Sequence, residues 1–117
     1  MVISNKATRV LEQAWFTHDV TFTRASQRTA IGVVPGETRT VKANVQAGER
    51  AVITRDGEEK TATVTIHFSA SEPLPEPADH VTVPAHFGLK DDLTILTARV
   101  VDSGNAFTPR FCEVTAR

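Results

Sequence analysis

The sequence predicts a mainly β protein, a small antiparallel barrel of six or seven strands with a short N-terminal helix and one long loop. Three observations predict it. Apolar residues alternate with threonine or charge through much of the chain, which is the period of a strand with one buried face. Turn dipeptides punctuate those runs. The chain has 117 residues, enough for one modest core, and closing a sheet of short strands removes edges that would otherwise aggregate.

Each element follows from its residues. In NKATRVLEQAWF, Ala7, Val10, Leu11, Ala14 and Trp15 recur at helical spacing, with Ser4 before them as a cap, so residues 1–17 form an N-terminal helical segment. The period then changes to two, and Val20 and Phe22 oppose Thr21 and Thr23 in a first strand starting near His18. Residues 25–39 lose periodicity and contain Pro35-Gly36, a pair suited to a type II turn, so they are read as the long loop. TVKANVQ alternates again, and Ala47-Gly48-Glu49 is read as the turn that follows it.

RAVITR and TATVTIHF flank Asp56-Gly57 and predict a hairpin. On its second arm Ala62, Val64, Ile66 and Phe68 share the core side, opposite Thr61, Thr63, Thr65 and His67. The prolines of PLPEP forbid ladder bonding and make SASEPLPEPAD a stiff acidic connector. HVTVPAHF gives a short strand stopped or bulged by Pro84, LTILTARVV a longer one, and Asp102-Ser103-Gly104-Asn105 a turn into the last strand. There Cys112, Val114 and Ala116 fall on one side, so the lone cysteine is read as a small core hydrophobe and not as a reactive thiol.

Composition excludes several functions. The net charge is −1, with the basic excess confined to residues 1–44, so no global field grips nucleic acid. No apolar run approaches the roughly 20 residues that span a bilayer, and MVISNKATRV lacks a signal-peptide pattern, so synthesis in the cytoplasm is expected. One cysteine allows no internal disulfide. His18, His67, His80 and His86 are scattered, and Asp79, His80, His86, Asp91 and Asp92 lack metal-ligand spacing. Glu58-Glu59 and Asp91-Asp92 sit beside turns, where adjacent side chains diverge. The six glycines form no phosphate cradle. No enzyme, no cofactor and no metal are expected. Arg24, Arg28, Arg39 and Lys42 flank or occupy the long loop with Glu37 alone among them, a weak polyanion signal without interleaved aromatics.

Several segments together carry a family resemblance. They are the hairpin centred on RDGEEKTATVTIHF, the proline-broken connector, the D-x-V-x-V pattern of DHVTVPAHFG, the strand and turn of DDLTILTARVVDSGN, and the terminal TPRFCEVTAR. This layout resembles the head-to-tail stopper, or head-closure, proteins of long-tailed bacteriophages, particularly those infecting actinobacteria. The match covers roughly residues 40–117.

The resemblance implies a single barrel domain over residues 1–117 that forms a homo-oligomeric ring, a hexamer or a dodecamer, in the virion at the head–tail interface. Such a ring closes the portal channel, retains packaged double-stranded DNA and gives the tail its docking platform. Its partners would be a portal or adaptor ring on one side and a tail terminator or tail tube on the other, with no membrane. Residues 25–39 occupy the place of the family's channel loop, which makes Arg28, Arg39 and Lys42 the candidate DNA-facing residues. The family more often has an extended N-terminal segment where a helix is read here. Candidate subunit contacts are Thr61, Thr63, Thr65, Pro73 and Pro75. A tail-terminator or adaptor protein of the same junction is the alternative, followed by a small β-barrel binding module for peptide or nucleic acid.

Overall fold

The computed structural model describes residues 15–25, 27–29, 32–34, 36–102 and 110–117. Eight strands follow in chain order: β1 (His18–Thr23), β2 (Gln27–Thr29), β3 (Gly32–Val34), β4 (Thr38–Ile53), β5 (Glu59–Ser69), β6 (His80–Thr82), β7 (Leu93–Val101) and β8 (Phe111–Ala116). Six of them close an antiparallel barrel in the order β1-β4-β5-β8-β7-β6, while β2 and β3 pair only with each other. The expected barrel is therefore present. The N-terminal helix falls mostly on residues 1–14, and the Asp102–Asn105 turn, apart from Asp102 itself, on 103–109, both stretches outside the described residues.

Alternation builds the core as anticipated. Val20 and Phe22 of β1, Val41, Ala43 and Val45 of β4, Val64, Ile66 and Phe68 of β5, and Cys112, Val114 and Ala116 of β8 all point inward and are buried. Phe68 is fully buried, and its ring lies 5.2 Å from that of Phe22. Cys112 is 1% exposed. Its side chain meets the Ser69 carbonyl at 3.8 Å, and burial pushes the thiol pKa up, which disfavours the nucleophilic thiolate.

Three local features differ from the sequence reading. The segment Ala47-Gly48-Glu49 is no turn: β4 runs through it, and a register shift against β5 between Ala47 and Arg50 marks a bulge. A bulge and a turn ask for the same small, permissive residues, so composition does not separate them. Residues 25–39 are not an unstructured loop either. They contain the β2–β3 hairpin, and Thr38 and Arg39 already belong to β4. Finally, β4 outruns its neighbour: β1 covers it only from Thr38 to Ala43, and β8 covers β5 only from Val64 onward. The far part of the β4–β5 hairpin thus forms an arm, whose Val52 and Ala62 join Leu96 of β7 in a second small core.

The arm's turn is specified locally. The Gly57 amide donates to the Thr54 carbonyl and Gly57 has φ 85°, so Arg55 and Asp56 occupy the turn centre and glycine takes the left-handed position after it. The Thr54 hydroxyl donates to the Asp56 carboxylate, and this bond, ahead of weaker contacts, holds the Asp56 pKa below its ordinary value.

Candidate functional surface

The β2–β3 hairpin leaves the barrel between β1 and β4, and its base is built by three contacts. The Arg24 amide donates to the Glu37 carbonyl at 2.9 Å, joining the two chain segments that enter and leave it. Gly36 passes so close to this junction that a Cβ there would lie 1.8 Å from the Arg24 carbonyl oxygen, which no other residue type tolerates. The third contact is the Asp79 carboxylate, buried at 8% exposure. Its Oδ1 accepts the Ala25 amide and its Oδ2 the Glu76 amide, each at 3.0 Å, so one side chain ties the hairpin base to the proline connector.

Between these elements lies a cleft of about 340 Å³, walled by Phe22, Arg24, Arg39, Pro73, Leu74 and Asp79 among others. Arg39 spans its floor. The guanidinium donates through Nη2 to the Pro73 carbonyl, approaches Glu72 at 3.5 Å, and sits 5.5 Å above the Phe22 ring. Arg39 is therefore a tether for the connector and not a free loop cation. Lys42 is exposed on β4 and ion-paired to Asp19 at 2.7 Å. Arg28 lies on β2 opposite Val33, and its side chain is outside the description. Arg24 lines the cleft with its side chain exposed and forms no ion pair with any described residue.

The expected subunit contacts separate. Thr61 and Pro73 are exposed and Thr63 is half-buried, its hydroxyl 3.5 Å from the Ala116 carbonyl. Thr65 is buried at 7% exposure and Pro75 is buried too, so neither offers its side chain to a neighbour.

A second polar constellation lies on the outside of β5, β8 and β7. Glu113 Oε2 meets His67 Nε2 at 3.1 Å, Oε1 accepts from Arg99 Nε at 3.2 Å and Nη2 at 3.0 Å, and Arg50 of β4 approaches Oε1 at 3.5 Å. Trp15 stacks on His67 at 5.4 Å and meets Phe111 edge-on at 5.1 Å, partly roofing the cluster. Burial alone would raise the Glu113 pKa. The hydrogen bonds from His67 and Arg99 and the charges of Arg99 and Arg50 outweigh it, so the pKa falls below the ordinary value. Sequence reading missed this cluster because His67, Arg99 and Glu113 become neighbours only through the order β5-β8-β7.

Among the described residues no three His, Cys, Asp or Glu side chains converge as a metal site would require. Asp79 is occupied by backbone amides, His80 contacts Asp92 at 3.2 Å, and His86 packs on Phe87. Glu58-Glu59 and Asp91-Asp92 are exposed. No family model, curated protein or solved structure matches this chain significantly.

Proposed function

We propose that this protein is a structural ring subunit of a phage head–tail junction, acting as the stopper that retains packaged DNA and receives the tail. The observation that carries the reading is the β2–β3 hairpin. It stands apart from the barrel sheet and is fixed at its base by Asp79, Gly36 and Arg24. A rigid barrel with a separately paired arm suits a ring whose wall is stiff and whose channel element moves.

Charge supports the same use. Residues 20–36 contain Arg24 and Arg28 and no acidic residue, so the β2–β3 hairpin carries cations alone, while Glu37 and Asp79 adjoin Arg24 at its base. In the proposed ring Arg24 and Arg28 face DNA phosphates, a contact that weakens as salt rises. Arg39 and Lys42 are spent on Glu72, Pro73 and Asp19 and are assigned scaffold roles instead. The protein is read as non-enzymatic and as part of the virion.

Deleting the gene from its phage tests the reading. The expected particles are heads that fill and then lose DNA, together with separate finished tails. Failure at tail length control instead would assign the protein to the tail terminator, and normally assembled virions would end the junction hypothesis.

A further inference from the structure

Among the described residues two strand edges of this barrel are open, and they lie on different strands. On β4, β1 pairing ends at Ala43 and the His18 imidazole accepts the next outward amide, that of Val45, at 3.4 Å. From Gln46 to Ile53 no described strand lies on that side, and Gln46 through Ala51 are all exposed. On β7, β6 pairs only with Leu93 and Thr94, and Asp79 and Ala78 bond Ile95. From Thr97 to Val101 no described strand other than β8 pairs with it. Unpaired strand edges are templates for another strand.

We infer that these edges pair with each other between copies of the chain, the β4 edge beyond its bulge adding to the β7 edge of the next subunit. The bulge at Ala47–Arg50 twists the strand, so the regular stretch available is Arg50–Ile53, close in length to Thr97–Val101. Each edge carries an exposed aliphatic side chain, Ile53 at 64% and Val100 at 47%, which a bare edge in water does not need. Charge matches as well. Glu49 beside the β4 edge has no ion pair with any described residue, while Arg99 on the β7 edge uses Nε and Nη2 on Glu113 and has no described partner at Nη1.

A second copy is the occupant because both halves of the interface are present in one chain, and one head-to-tail contact satisfies both. Such a contact is heterologous, so it leaves a free edge at each end of a dimer and closes only as a ring. Main-chain bonds supply the affinity and the aliphatic and charged side chains the register. This deepens the proposed ring by naming its subunit interface, and it takes its biological setting from that reading.

Sedimentation of the wild-type protein from micromolar to millimolar concentration is expected to show self-association. Hydrogen exchange at Arg50–Ile53 and Thr97–Val101 should slow as concentration rises, a readout that needs no variant. Ile53→Lys and Val100→Lys each alter an exposed side chain and each should leave a folded monomer. Mixed together they should form dimers that grow no further, because each variant keeps the edge that the other has lost. A Val100→Lys protein that still dimerises would show symmetric β4 pairing and overturn the inference. So would a mixture that stays monomeric, or a wild-type protein that stays monomeric throughout. None of these results bears on the gene deletion, and normal virions without the gene would leave them standing.

Discussion

Removing the Asp79 carboxylate tests whether the hairpin arm is anchored as described. Asp79→Ala deletes the acceptor of two backbone amides, those of Ala25 and Glu76. Hydrogen bonds to a charged acceptor contribute about 1.5–3 kcal/mol each, which sets an upper bound near 6 kcal/mol for the pair. The cleft beside Asp79 is open to solvent, so water reaches the orphaned amides and the expected loss is about 2–3 kcal/mol. For a chain of this length that lowers Tm by roughly 8–12 °C.

Asp79→Asn separates the bond from the charge. One amide oxygen still accepts, while the NH₂ group faces the second donor, so the expected cost is about 1–2 kcal/mol. Urea unfolding gives the magnitudes and amide exchange gives the location. Exchange at Ala25, Glu76 and the β2–β3 amides should accelerate more than exchange at Ile66 or Val114 in the barrel. Both variants unfolding within about 0.5 kcal/mol of wild type, with Ala25 still protected, would refute the anchoring argument.

Two further predictions concern β8. Because the folded pKa of Glu113 is depressed, its contribution to stability is fully present above the unfolded value, about 4.3, and is lost as pH falls through the lower folded value; Glu113→Gln should flatten that acid limb in unfolding curves measured from pH 7 downward. Cys112→Ser places a hydroxyl in the core and should destabilise by about 1–3 kcal/mol, while the wild-type thiol should react with labelling reagents only as fast as the protein opens; immediate labelling of native protein would contradict its burial.

What was legible in the sequence was whatever depends on neighbours along the chain. Ala62, Val64, Ile66 and Phe68 announced their shared face by alternation, and so did Cys112, Val114 and Ala116. Gln27–Thr29 and Gly32–Val34 did not, since strands of three residues are too short to establish a period. Alternation also names a side without saying whether anything covers it. Thr65 and Thr115 lie on the outward rows of β5 and β8, opposite one another in the ladder, and both are buried.

The site itself is non-local, and that is why only fragments of it could be read. Arg39 looked like a loop cation because its partners, Glu72 and Pro73, lie on the connector that returns past β4 only once the barrel has closed. Asp79 stood out only as an acid without metal-ligand spacing for the same reason: the amide it holds at Ala25 is 54 positions away. Charge therefore had to be redistributed after folding. Arg39 and Lys42 were consumed by the scaffold, leaving Arg24 as the cation at the hairpin base that lacks an ion pair among described residues. If phosphate contact is the purpose of that arm, a loss of DNA retention should follow Arg24→Ala more than Lys42→Ala. The second change removes an exposed ion pair worth about 0–1 kcal/mol, whereas the first removes a charge that pairs with no described residue.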